Sequence, residues 1–253
     1  FYNAAKKRCC KGSFSFSLAS SIEAYIHEHK KVYDNLVDKY LFASEFMLNK
    51  TKEFWVNKKV QYGVLKNPFK PEEYSPNYSG DYALYFGRVI DEKGVDRIVH
   101  AAKHCDVPVK IIGDGPQLTE LQNLAERENI NNVEFLGSMW GDELNQVLVH
   151  SRFVIVPSLW HENFPYVIFQ AFACGKPVLG SKRGGIPELV GEDRGLLFEP
   201  DNINELSDCM SKMWNSVEGC KQQGLKARSY VETEFNDKVF YEAIMSNYRS
   251  VLK

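Results

Sequence analysis

Tyr82-Ala83-Leu84-Tyr85-Phe86-Gly87-Arg88-Val89-Ile90-Asp91-Glu92-Lys93-Gly94-Val95-Asp96 begins with a five-residue apolar run, stops at a glycine and turns through charged residues into a new segment. A short unbroken apolar run closed by a turn is the pattern of a strand buried on both faces. The unit recurs. Apolar runs at 82–86, 109–112, 133–136, 153–156, 178–179 and 196–198 are each separated from the next by enough chain for a helix. Strands interleaved with helices predict a doubly wound, parallel α/β sheet. Ligands on such sheets lie beyond the carboxyl ends of the strands, so chemistry is sought in the residues just after each run.

Upstream the pattern is less regular. A helix is predicted over 13–33, a strand over 40–43, and a short helix opened by Ser44 as N-cap. Lys66-Asn67-Pro68-Phe69-Lys70-Pro71, followed by Tyr74-Ser75-Pro76, reads as a connector, because proline pre-sets turns and removes ladder donors. The chain therefore divides into 1–70, 71–235 and 236–253, the last a helix with Val239, Phe240, Ile244, Tyr248 and Leu252 at helical spacing.

Bulk properties exclude several classes. With 44% apolar residues in 253 the chain can fill a core, yet no run approaches the roughly 18 apolar residues of a membrane span. The N-terminal Phe-Tyr-Asn-Ala-Ala-Lys-Lys-Arg lacks a signal-peptide layout, and a cytoplasmic protein is expected. The six cysteines lack C-x-x-C spacing, so reduced structural thiols are expected, with adjacent Cys9 and Cys10 left open. A net charge of −2 argues against nucleic-acid binding but conceals an asymmetry: residues 1–70 hold 13 Lys/Arg against 6 Asp/Glu. Lys6, Lys7, Arg8 and Lys11 precede a periodic run of Phe14, Leu18, Ile22 and Ile26. Two readings stand: a solvated basic face beside a core helix, or a peripheral contact with anionic membrane or a lipid-linked acceptor.

The strand ends supply the candidate site residues. Arg88 and Lys93 follow the first run, two cations at a helix entrance that suit a diphosphate and equally suit an ordinary surface turn. Gly113-Asp114-Gly115-Pro116 follows the second and allows close backbone approach, as any strand-to-helix turn does. After the third come Ser138-Met139-Trp140 and then Asp142 as a candidate N-cap. The fourth is followed by the longest informative stretch, Pro157-Ser158-Leu159-Trp160-His161-Glu162-Asn163-Phe164-Pro165-Tyr166-Val167, with Gln170 eight residues past Glu162. Gly184-Gly185-Ile186-Pro187-Glu188 follows the fifth.

In order and spacing these segments resemble the C-terminal domain of the family 4 retaining glycosyltransferases: F-G-R-x-x-x-x-K-G, I-G-D-G-P, P-S-x-x-x-E-x-F through A-x-G-x-P-V, and G-G-x-P-E. Each motif alone is unspecific, whereas four in sequence are not. The resemblance implies a GT-B fold with a Rossmann-like donor domain, preceded in this chain by a truncated α/β remnant of the acceptor-side domain and ended by a helix that crosses back to it. It implies sugar transfer from a UDP-, GDP- or ADP-sugar to a saccharide or lipid-linked saccharide hydroxyl with retention, in polysaccharide, lipopolysaccharide or glycolipid biosynthesis. It also implies no cofactor and no metal, with this chain alone expected to bind nucleotide and transfer poorly.

Residue by residue, the resemblance gives Arg88 and Lys93 the diphosphate and Glu162 the donor sugar and its departing phosphate. It places Gly113 and Met139 beside the nucleotide, and Asn163, Phe164 and the amides of Tyr166 and Val167 among the donor contacts. Gln170 falls to the ribose. Two positions depart from the family pattern: Gln170 stands where glutamate is usual, and Pro165 where glycine is common. A neutral amide makes a weaker acceptor than a carboxylate, and proline removes an N–H. The alternatives are a non-catalytic nucleotide-sugar-binding module and a GT-B-type epimerase, since fold does not fix function.

Overall fold

The computed structural model describes residues 2–55 and 60–252. It opens with α1 (Tyr2–Lys6), α2 (Phe14–His29), α3 (Val32–Leu36), β1 (Lys39–Phe42), α4 (Glu45–Phe54) and β2 (Gln61–Val64). A second layered unit follows: β3 (Ala83–Phe86), α5 (Val95–Ala102), β4 (Val109–Ile112), α6 (Leu118–Arg127), β5 (Val133–Gly137), α7 (Gly141–Val149), β6 (Phe153–Val156), α8 (Tyr166–Ala173), β7 (Val178–Ser181), α9 (Ile186–Val190), β8 (Gly195–Phe198) and α10 (Ile203–Asn215). Two longer helices close the chain, α11 (Val217–Glu234) and α12 (Asp237–Val251).

The six strands from β3 onward form one parallel sheet in the order β5-β4-β3-β6-β7-β8. The order runs outward from β3 in one direction and then outward from β6 in the other. Connections on the two sides leave the sheet toward opposite faces, which opens a crevice at the ends of β3 and β6. Strand composition matches this position. All four residues of β3 and of β6 are buried, while the edge strand β5 is only half-buried. Ala83 and Tyr85 pack on one face with Ile98, Leu121 and Met210; Leu84 and Phe86 pack on the other with Phe172, Ile186 and Ala227. Enclosing each Phe or Leu in this way is worth about 1.5–3 kcal/mol, so the central strands are the fixed frame against which the loops are placed.

The smaller sheet pairs β1 with β2 in parallel, Lys39 opposite Gln61 and Phe42 opposite Val64. No strand is predicted at 61–64: its Gln-Tyr-Gly-Val is short and carries a glycine. Its stability comes from packing, since Tyr62 lies among Tyr40, Phe42 and Trp55. The helix predicted over 13–33 breaks at Lys31, whose φ of 50° ends α2 and opens α3. The expected core helix is a different object. Phe14, Leu18, Ile22 and Ile26 are all exposed, and the buried residues of α2 are Ser17 and Ser21, whose small side chains admit α1. Cys10 N donates to Ser17 Oγ at 2.9 Å on that face. The helix predicted near the C-terminus is α12, capped by Asn236, and it reaches the small sheet through Lys39 Nζ and Ser250 Oγ at 3.3 Å.

Candidate functional site

Five glycine- or proline-bearing loops meet at the carboxyl ends of the large sheet, and Glu162 is fixed at their centre. Ser158 Oγ donates to Glu162 Oε1 at 2.9 Å, and Lys93 Nζ pairs with the same oxygen. The loop backbone is tied as firmly. Leu159 N and Trp160 N both donate to Glu92 O, at 2.9 and 3.1 Å, and Gly185 N donates to Glu162 O at 2.6 Å. Buried Ser181 donates to Ser158 O at 2.7 Å. Loops from β3, β6 and β7 are thus stitched into one assembly.

Two glycines are required by that stitching. At Gly184, with φ of 59°, an added Cβ would lie 2.1 Å from Glu162 O; at Gly94, with φ of 64°, it would lie 2.4 Å from Pro157 O. Both positions combine a left-handed backbone with contact against the backbone of the Glu162 loop. The Gly-Gly and Lys-Gly sequences are therefore conditions for placing the acid.

Adjacent hollows divide the predicted residues among them. A cleft of about 250 Å³ is lined by Arg88, Ile90, Glu92, Lys93, Trp160 and Glu162. A second, of about 300 Å³, shares Arg88 and continues over Gly87, Gly113, Ser138, Met139 and Trp140. Between and beneath them a small hollow of about 40 Å³ is bounded by Gly87, Lys93, Ser158, Glu162 and Val167. Arg88 and Lys93 accordingly stand at a junction. One arm suits a flat, partly apolar group and the other is bordered by an acid and an exposed indole. A larger hollow of about 350 Å³ lies between α12 and the small sheet, lined by Leu36, Leu41, Ile244 and Tyr248. Its charged lining is Asp38 and Lys39, a balanced pair that offers an anion no net attraction.

The remaining candidates are placed differently. Tyr166 and Val167 are the first residues of α8, where amides have no carbonyl one turn earlier to bond. Phe164 is an anchor: its ring stacks on Phe169 with centroids 4.3 Å apart, pinning the loop to the core. Asn163 Oδ1 accepts from Ser44 Oγ at 2.7 Å, away from the Arg88 junction. Gln170 is not brought to it either. Its Nε2 donates to Tyr74 Oη at 3.2 Å, which ties α8 to the connector. Asp142, read as an N-cap, lies inside the first turn of α7, with Trp140 in the cap position. Gly141 adopts φ of 56° and starts the helix two residues earlier than the acid suggested.

Two supporting residues are given no role in the sequence reading. Ser158 is the serine of the Pro-Ser step four residues before Glu162, and that spacing is the signal for it. Tyr85 lies inside an apolar run and carries no such signal. Its hydroxyl donates to Arg88 O at 2.7 Å and so fixes the backbone that presents the arginine. Burial, with the Glu162 charge as a lesser cause, raises the phenol pKa well above its usual value and keeps that donor protonated.

A doubly wound parallel sheet with Arg88, Lys93 and Glu162 gathered at its switch point has the architecture of one half of a GT-B protein. The chain belongs to the group 1 glycosyltransferases, whose family model matches residues 67–230. A glycosyltransferase of Methanocaldococcus jannaschii is 29% identical over 215 residues, covering 85% of this chain and 59% of the relative. The Escherichia coli O-antigen chain mannosyltransferase C is 24% identical over 88% of this chain and 65% of its own length. The chain thus spans about three-fifths of these relatives. Anabaena HepE, solved in complex with UDP and glucose, superposes with a TM-score of 0.73 at 21% identity, over 87% of this chain and 65% of that one.

Proposed function

We propose that this chain carries the donor site of a retaining, metal-independent glycosyltransferase that moves a sugar from a nucleoside diphosphate to an acceptor hydroxyl. The observation that supports this most is the single cleft bordered by Arg88, Lys93 and Glu162 at the crevice between β3 and β6. The base and ribose take the arm over Gly113 and Met139, the diphosphate takes the junction, and the sugar takes the arm beside Glu162. Departure of the diphosphate builds negative charge on oxygens between Arg88, Lys93 and the N-terminus of α8. Preorganised cations and amides stabilise charge that develops in the transition state. Lys93, paired with Glu162, exchanges that partner for the phosphate; Glu162, still held by Ser158, is then free to accept from a sugar hydroxyl. The acceptor hydroxyl attacks the anomeric carbon from the face the phosphate leaves, and the phosphate takes its proton. HepE was solved with UDP, which favours a nucleotide in this position here, and the mannosyltransferase relative favours a saccharide acceptor.

Gln170 favours a second reading, a binding module without transfer, because its amide is engaged with Tyr74. A thermal-shift panel of UDP-, GDP- and ADP-sugars in EDTA tests the first requirement of both. One nucleotide class at about 100 times its Kd should stabilise the fold by about 2.7 kcal/mol. No shift for any class, or a shift that needs Mg²⁺, contradicts the proposal. Sugar transfer by the full-length protein then separates enzyme from module.

A further inference from the structure

A second cluster lies beside the cleft and joins the two sheets. The first amides of α4 have no acceptor within the helix. Glu188, in the short helix α9 after β7, supplies one for two of them: Oε2 accepts from Glu45 N at 3.0 Å and Oε1 from Phe46 N at 2.5 Å. Ser44 Oγ accepts from Met47 N at 3.2 Å and donates to Asn163 Oδ1 at 2.7 Å. The Phe46 ring lies 5.3 Å from that of His161. Each contact that leaves the start of α4 ends either on residues flanking Glu162 or on Glu188. The two end points are themselves connected, since Gly185 N donates to Glu162 O.

An N-cap serine alone satisfies the usual need of a helix start. The added carboxylate reaches across from the other sheet, and its charge is favoured at the positive end of the α4 dipole. We propose that Glu188 and Ser44 are positioning residues that clamp α4 to the Glu162 loop, so that recognition of the donor sugar depends on where the small sheet sits. The inference rests on the proposed function of the cleft. It adds a division within that cleft. The nucleotide arm lies over β5, β4 and β3, while the clamp holds loops of β6 and β7. Loss of the clamp therefore weakens the sugar's share of binding more than the nucleotide's, which meets the clamped loops only at the N-terminus of α8.

The test uses the 253-residue chain. UDP, GDP and ADP, and UDP-glucose, GDP-mannose and ADP-glucose, are titrated by calorimetry, with hydrogen exchange followed at Glu45 and Phe46. Glu188→Ala should speed exchange of those amides about tenfold. It should leave the diphosphate Kd within about twofold and weaken the matching sugar nucleotide by about fivefold or more. Glu188→Gln, which keeps one acceptor oxygen, should recover part of that loss. Should Glu188→Ala fail to fold, Ser44→Ala cuts the link to Asn163 and must show the same split. Faster exchange with both affinities unchanged, or both falling together, overturns the clamp while leaving the donor site intact. A wild-type chain that binds none of the six overturns the proposed function and this inference with it.

Discussion

Gln170 and Lys176 show how one side chain can be read from its surroundings. Gln170 reaches a ribose only if its amide turns away from Tyr74. A carboxylate there would accept from hydroxyls with the strength of a charged group, about 1.5–3 kcal/mol against about 1 kcal/mol for a neutral one. Gln170→Glu should therefore tighten nucleoside diphosphate binding about threefold to tenfold by calorimetry, and unchanged affinity would leave this residue as a tie to the connector. Lys176 is buried, with Nζ donating to Ser79 O at 2.9 Å. Desolvation pulls its pKa down to about 8. Below that pH the folded state holds a buried ammonium. Between about 8 and the ordinary lysine value near 10.4, the unfolded chain binds a proton that the folded chain does not. Wild-type stability relative to Lys176→Met should thus rise as pH climbs from 7.5 to 10. The comparison matters because Cys174, raised to about 11 by burial, works in the opposite direction and is common to both proteins. A difference in midpoint that stays flat across that range would contradict the lysine's assignment.

At the scale of the element, the Gly184-Gly185 turn most directly links stability to the site. Gly184→Ala should destabilise the chain by about 2–4 kcal/mol in urea, because a left-handed alanine and a collision with the Glu162 carbonyl both have to be relieved. A loss below about 1 kcal/mol would mean that the Glu162 loop yields easily. β3 and β6 were legible because each is an unbroken apolar run buried on both faces, and β4 and β5 remained legible with one charged residue apiece, Lys110 and Glu134. The end of α8 carries its own signal, since Cys174-Gly175-Lys176-Pro177 puts a glycine at φ of 70° just past the helix and a proline soon after. β2 was not, because Gln61-Tyr62-Gly63-Val64 is held by aromatic neighbours distant in sequence. The periodicity of α2 gave the helix and left its apolar face open between the core and the surface; the structure exposes it. A repeat says which residues share a face, and only neighbours say whether that face is covered.

Across the whole molecule, the motifs after β3, β6 and β7 converge as their order implied. Arg88, Lys93 and Glu162 share one cleft, while Met139 and Gly113 share the next through Arg88. Contacts that depend on three-dimensional arrival were beyond a linear reading: Tyr85 behind Arg88, Glu188 on α4, and Gln170 drawn to Tyr74. In the proposed function, strand-end loops meet a pyrophosphate with fixed cations. The most direct measurement is calorimetric titration of wild type and Arg88→Ala, in EDTA, with whichever of UDP, GDP or ADP binds and with its parent nucleoside. Removal of the guanidinium should raise the diphosphate Kd about tenfold or more, equivalent to about 1.4 kcal/mol, and change the nucleoside Kd by less than about twofold. Equal losses for both would place Arg88 outside the phosphate junction and contradict the assignment of the cleft.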